Sequence, residues 1–135
     1  MPENFYEFSL PVFRDPRGDL IPIELLAKIP FAVERVYFLK NVPEATTRGA
    51  HCHFIEQEVF LCLSGKCRAL IDSDKQGKKE IWLDHPEKAI FVGTRVWHEF
   101  DSFSPDAVLL ALSSTPYLPG AENYETDYVS FIRDV

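Results

Sequence analysis

Apolar and polar residues alternate in short runs along most of the chain, and Pro, Gly, Asn and Asp punctuate the runs at close intervals. A period of two predicts strands rather than helices, and many short strands between turn signals predict an all-β sandwich or barrel. Residues 33–39 form the first strong strand signal, with Arg35, Tyr37 and Leu39 on one face. Residues 48–53 predict a strand in which His51 and His53 point one way and Cys52 the other. The apolar run at 59–63 continues as a buried strand and is turned by Ser64-Gly65-Lys66. Further strands are expected at 67–72, 80–83, 89–92 and 96–100, with a polar hairpin loop at 73–78. Residues 108–112 are continuously apolar and so are expected to be buried on both faces. Near the start, residues 5–12 read as an edge-like strand and 15–19 as a turn. Residues 20–24 read as a short strand with Pro22 at an edge or bulge, and 25–29 as a single helical turn. Near the end, residues 124–133 predict a short helix with Thr126 as its N-cap.

Composition narrows the class. At 135 residues, one domain spanning 1–135 is expected, and 46% hydrophobic residues with 11 Phe can fill a core. The net charge of −7 argues against nucleic-acid or anionic-membrane partners. No 18-residue apolar run predicts a membrane span, and the first residues lack the basic-then-apolar order of a secretory signal, so a cytoplasmic location is expected. The three cysteines, Cys52, Cys62 and Cys67, lie in apolar strand contexts and read as small buried hydrophobes in a reducing compartment.

The candidate chemistry centres on the histidines. Two imidazoles side by side on one strand face suit either metal binding or proton transfer near neutral pH. The order His-x-His, then Glu58, Gly65 and a later His98 is similar to the ligand order of a cupin, a small jelly-roll barrel. The second half departs from the usual pattern, since Val92-Gly93-Thr94-Arg95-Val96-Trp97-His98 lacks a Pro and has a longer gap. Three readings follow from the residues: a divalent metal held by His51, His53, Glu58 and His98; metal-free acid–base catalysis next to a carbonyl; or histidines that are structural or line a sugar-binding pocket.

A more specific resemblance covers roughly residues 15–131. It is carried by Ile29-Pro30-Phe31 with Arg35-Val36-Tyr37, Arg48-Gly49-x-His51-x-His53, and Leu61-Cys62-Leu63-x-Gly65-x-Cys67-Arg68. Val92-Gly93-x-x-Val96-Trp97-His98-Glu99 and Tyr124-Glu125-x-Asp127-Tyr128 complete it. Together these resemble the sugar 3,4-ketoisomerases, cupins that act on a dTDP-linked 4-keto-6-deoxyglucose. The resemblance implies a cupin jelly-roll barrel with a short C-terminal helix and a reaction that needs no metal or other cofactor. The carbonyl moves from C4 to C3 through an enediol, in deoxysugar biosynthesis for a surface glycan such as lipopolysaccharide or an S-layer. It implies His51 as the base at C3, His53 as its partner, and Tyr37 acting on a sugar oxygen. Arg35 and Arg48 are the expected pyrophosphate ligands, with Gln57, His98 and Arg17 as further substrate contacts. Tyr117, Tyr124 and Tyr128 are expected to pack, and Trp97 to point away from His98 into the core. Arg17-Gly18 resembles the branch that gives the galacto product. The neighbouring alternative is a 3,5-epimerase acting on the same substrate. An unpaired first strand suggests a homodimer, with an exchanged N-terminal strand.

Overall fold

The computed structural model describes residues 4–25, 27–73 and 77–134. Two five-stranded antiparallel sheets pack face to face as a jelly roll. In chain order the elements are β1 Phe5–Ser9, β2 Phe13–Asp15, β3 Gly18–Leu20, β4 Arg35–Lys40, β5 Arg48–His53, β6 Glu58–Ser64 and β7 Cys67–Ser73, followed by β8 Gly77–Leu83, β9 Lys88–Val92, β10 Trp97–Asp101, β11 Val108–Ser113, β12 Tyr124–Glu125 and α1 Tyr128–Asp134. One sheet has the order β1-β9-β6-β11-β4 and the other β12-β5-β10-β7-β8, while β2 and β3 form a separate hairpin. The long polar loop expected at 73–78 is shorter here, because β7 runs to Ser73 and β8 starts at Gly77; residues 74–76 lie outside the described ones.

The hydrophobic pattern explains the layering. Phe60, Cys62, Leu109, Ala111, Ile90 and Val92 face Ala69, Ile71, Ile81, Leu83 and Phe100 across the barrel interior. β6 and β11 are apolar at both parities because the outer face of their sheet is covered as well. Val59, Leu61, Leu110 and Leu112 pack there against Leu10, Leu25 and Ile29 of the N-terminal segment. The strand expected at 20–24 is absent. β3 ends at Leu20, and residues 21–23 instead lie over this outer face without ladder bonds, with Ile21 and Ile23 packed on the second cluster. The turn at 25–29 is real: the Lys28 and Ile29 amides donate to the Leu25 carbonyl.

The C-terminal helix begins later than the pattern predicts. Tyr124 and Glu125 pair with β5, and Asp127, not Thr126, caps the helix by accepting from the Val129 amide at 3.3 Å. Seven residues are too few to stand alone, so packing holds α1 in place: Phe131 and Tyr128 lie against Trp97, with ring centroids 5.6 and 5.2 Å away. Trp97 is therefore core, on the opposite side of its sheet from the pocket. All three cysteines are free and buried.

Candidate active site

The pocket opens between the two sheets and has a cavity of about 290 Å³. One wall is β4, with Arg35, Tyr37 and Leu39 projecting inward; the other carries Arg48, His51 and His98 from β5 and β10. Phe60, Phe100, Leu109 and Ala111 make an apolar floor, and Tyr117 and Tyr124 complete the rim.

A bulge aims the histidine strand. On β5, His51 pairs with His98 but Gly49 pairs with Glu99, so Ala50 is an extra residue in the ladder. Gly49 and Ala50 have φ of 81° and 60°, and the Gly49 Cα lies so close to β10 that a Cβ there would meet the His98 carbonyl at 3.0 Å. Strict alternation would place Arg48 and His51, three residues apart, on opposite faces. The extra residue brings both onto the pocket wall.

His51 is half-buried, and its Nδ1 donates to the Gly49 carbonyl at 3.1 Å, which leaves Nε2 as the basic nitrogen. The His51 ring centroid is 4.7 Å from those of both His53 and His98. Burial lowers the pKa of all three imidazoles. For His53, desolvation with the nearby His51 and Arg35 pushes it down to about 3. All three are neutral at physiological pH, so the approaches of His53 and His98 to carboxylates are polar contacts and not ion pairs.

His53 does not line the cavity. It sits behind His51, 3% exposed, with Nδ1 3.4 Å from Glu58 Oε1 and Nε2 3.7 Å from Glu56 Oε1. Its Nε2 and the Arg35 Nε are buried without a hydrogen-bond partner among the described residues. The adjacent carboxyls differ in their surroundings. Glu56 accepts from Arg35 (2.7 Å), Ser113 Oγ (2.7 Å) and Asn123 Nδ2 (3.1 Å). Glu58 accepts from the Tyr37 hydroxyl at 2.6 Å and has no Arg or Lys in ion-pair contact among the described residues. Burial, reinforced by the neighbouring Glu56, pushes Glu58 up to about 8. Burial and both glutamates also raise the Tyr37 phenol, which stays protonated.

The structure thus brings Tyr37, Arg35, Arg48, His51 and His98 together around one cavity, with His53 directly behind. Gln57 and Arg17 are not among the residues lining it. The Gln57 backbone is bonded to Ser114. Arg17 lies on the exposed β2–β3 turn, paired with Asp15 at 2.7 Å. Tyr117 and Tyr124, expected to pack, line the pocket instead; Tyr117 lies over the Arg35 guanidinium (5.5 Å) and Tyr124 against His51 (4.9 Å). Glu56, Ser113 and Asn123 were not singled out by the sequence. The one signal for Glu56 is its two-residue spacing from Glu58 at the head of an apolar strand.

Among the described residues, two donor groups could gather round a metal ion, His51 with His53 and His98, and His53 with Glu56 and Glu58; within each, the ligand atoms lie within 4.8 Å of one another. In the second group both Glu56 oxygens and Glu58 Oε2 already accept hydrogen bonds from Arg35, Ser113, Asn123 and Tyr37. The three neutral imidazoles could serve either as ligands or as acid–base groups.

An antiparallel jelly roll whose pocket sets a neutral imidazole opposite a phenol, with arginines at its rim, defines a cupin equipped for proton transfer on an anionic substrate. Comparison with known proteins gives the family. The family model described as FdtA (WxcM-like, C-terminal) matches residues 3–135. The TDP-4-oxo-6-deoxy-alpha-D-glucose-3,4-oxoisomerase of Aneurinibacillus thermoaerophilus is 40% identical over 115 residues, 85% of this chain and 78% of that protein. A 3,4-ketoisomerase from Helicobacter canadensis is 32% identical with a TM-score of 0.86, covering 97% of this chain and 96% of that one. A His-to-Asn mutant of the 3,4-ketoisomerase QdtA from Thermoanaerobacterium thermosaccharolyticum, solved with TDP-4-keto-6-deoxyglucose, is 30% identical with a TM-score of 0.87 and covers 99% and 95%. Sugar epimerases at 19% and 20% identity share the fold. The chain belongs to the FdtA family and is an enzyme of the sugar-nucleotide 3,4-ketoisomerase class.

Proposed function

We propose that this chain converts dTDP-4-keto-6-deoxyglucose to the 3-keto sugar of galacto configuration without a metal, in cytoplasmic deoxysugar biosynthesis for a surface glycan. The observation that carries this reading is the neutral His51 on one wall of the pocket, facing Tyr37 on the other. The C3 proton is acidified by the C4 carbonyl, so the protein needs a placed base and a donor for the developing oxyanion. His51 Nε2 takes the C3 proton while the Tyr37 hydroxyl turns from Glu58 to donate to O4, giving an enediolate that keeps the O3 proton. The O3 proton passes to the adjacent O4, and the imidazolium returns its proton to C4 as the carbonyl forms at C3. One proton moves from C3 to C4 and one from O3 to O4, so the reaction balances without an external acid or oxidant.

The same arrangement bears on stereochemistry. The hydrogen at C3 of the gluco ring and the one at C4 of the galacto ring lie on the same face. A single base that takes and returns the proton therefore yields the galacto product. His51 and its neighbour His98 share one wall, which supports this outcome. Arg48 at the rim and Arg35, stacked between Tyr37 and Tyr117, are the proposed pyrophosphate contacts.

The active form is proposed to be a homodimer. Val36 and Phe38 on the outer face of β4 are 56% and 59% exposed, and Phe13 and Leu20 on the β2–β3 hairpin are both 62% exposed. β4 is also an open sheet edge. A second copy that covers these residues with its N-terminal hairpin would remove both liabilities and could carry Arg17 to its neighbour's pocket rim.

The test is an NMR time course with chelator-treated protein and dTDP-4-keto-6-deoxyglucose in D2O. The expected result is a carbonyl moving from C4 to C3, with the C4 coupling of a galacto ring, and loss of conversion in His51→Asn. Deuterium at C3 and C5 with the ketone still at C4 would make the enzyme an epimerase. Activity that returns only when a divalent ion is added would overturn the metal-free mechanism.

A further inference from the structure

Glu58 touches no part of the cavity, yet it joins the two walls. It lies on β6, two strands away from Tyr37 on β4, with β11 between them. In the register of that sheet, Phe60, Ala111 and Tyr37 form one row across the inner face, and Glu58, Ser113 and Arg35 form the next. Both β11 positions are small residues. The Tyr37 side chain can therefore lie diagonally across β11, over Ala111, and reach Glu58 Oε2 at 2.6 Å. The other oxygen, Oε1, is 3.4 Å from His53 Nδ1 and 3.9 Å from His98 Nε2, so the same carboxyl touches the imidazole layer that backs His51. A charged, hydrated surface glutamate would be a poor candidate for this duty. Glu58 is 1% exposed and has no Arg or Lys in ion-pair contact among the described residues, the condition under which a carboxyl group is kept only if hydrogen bonds satisfy it.

We propose that Glu58 is a positioning residue for proton transfer: its carboxyl holds the Tyr37 oxygen at a fixed point opposite His51, from which the phenol proton turns to O4 when substrate binds, and ties that point to the His53–His98 layer, without touching substrate. This rests on the proposed isomerase reaction, in which Tyr37 supports O4. Without the Glu58 bond the phenol keeps its place in the sheet but its oxygen loses its anchor. The loss then falls on turnover and not on nucleotide binding, because Arg35 keeps its ion pair with Glu56 and Arg48 stands on the opposite wall. Glutamine offers an acceptor oxygen of the same reach, and leucine offers none.

The test compares wild type, Glu58→Gln, Glu58→Leu, Tyr37→Phe and the Tyr37→Phe/Glu58→Leu double variant, scored by kcat and KM for dTDP-4-keto-6-deoxyglucose and by calorimetric Kd for TDP. The proposal expects Glu58→Leu to lose at least about tenfold in kcat, within the range of a single acid–base contribution, while KM and the TDP Kd change less than about twofold, on the view that the lost interaction serves only the transition state. Glu58→Gln is expected to retain most of kcat, and Glu58→Leu to cost nothing further in the Tyr37→Phe background. Wild-type kcat in Glu58→Leu, equal losses in both backgrounds, or a Glu58→Gln loss as large as that of Glu58→Leu would each overturn it. Should Glu58→Leu fail to fold, Glu58→Ala, which makes room for a water, serves the same comparison. Absence of any conversion by the wild type would fall on the proposed reaction itself, and TDP binding by the same samples would show that the site is intact.

Discussion

The buried Glu58 makes the stability of the fold depend on pH in a direction opposite to ordinary surface carboxylates. Its pKa rises from 4.5 to about 8 because burial penalises the anion and Glu56 stands beside it. Between those two values the native state holds a proton that the unfolded chain has released. Stability therefore falls as pH rises through this window, by up to about 1.4 kcal/mol per pH unit. Between pH 5 and pH 8 the total is about 3 kcal/mol, a large part of the 5–15 kcal/mol typical of a domain. The imidazoles act in the reverse sense. His53, lowered to about 3, binds protons mainly in the unfolded state between about 3 and 6.5, so its contribution grows with pH and is complete above that range. His51 and His98 are lowered too and push the same way. Substituting Glu58 by Gln isolates the carboxyl, because the histidine contributions cancel in the difference. The assay is urea unfolding of both proteins at half-unit steps from pH 5 to pH 8. The wild type is expected to lose stability relative to the variant by about 3 kcal/mol across the series, a relative shift of 1 M or more in midpoint at a urea m-value of about 1–3 kcal/mol/M. A difference that stays flat with pH would show that Glu58 is ionised in the fold and would refute the argument from burial.

Gly49→Ala places a side chain at φ 81° against the His98 carbonyl at 3.0 Å. It is expected to cost about 1–2 kcal/mol from the left-handed backbone alone, and to lower kcat more than it raises the TDP Kd, read by urea unfolding and calorimetry. Ala111→Leu fills the space that Tyr37 crosses; overpacking there is expected to cost about 1–3 kcal/mol and to match Tyr37→Phe in kcat if the phenol is displaced. Sedimentation at micromolar concentration should give twice the 15.5 kDa chain mass, and Val36→Lys/Phe38→Lys should give a monomer; a wild-type monomer would remove the dimer.

The class of fold was legible because strands with period-two burial leave a direct trace. β7 alternates between buried and half-exposed along its whole length, and β11, read as buried on both sides, proved to be so. The missed elements are those where tertiary contact replaces the ladder. Residues 20–24 look like a strand because Ile21 and Ile23 alternate, but the ladder ends at Leu20 and Ile21 and Ile23 bury that face on an existing sheet with their backbone outside any ladder. The site was legible where motif residues face the cavity by simple alternation, as Arg35, Tyr37 and His51 do. It was hidden where geometry departs from alternation or where the partner is remote in sequence. Asn123, 67 residues from Glu56, is invisible as its partner until β12 docks beside β5. Tyr117 and Tyr124 reach the rim through the same C-terminal return.

The bulge at Ala50 shows why the motif carries more information than its residue types. Without the extra residue, Arg48 would face the outside of the sheet while His51 faced the cavity, and the strand could offer the pocket an imidazole or a rim cation but not both. With it, one strand supplies both a neutral imidazole and a cation to the same cavity. Deeper in, the only Arg or Lys paired with the buried glutamates among the described residues is Arg35, bound to Glu56, while Glu58 and three imidazoles remain neutral. A charge that develops on the substrate in such surroundings is weakly screened. In the proposed reaction the Tyr37 hydroxyl acts on it at close range. The same low dielectric requires each of these polar groups to be held by a partner, as Glu58 holds Tyr37, Glu56 holds Arg35 and the Gly49 carbonyl holds His51.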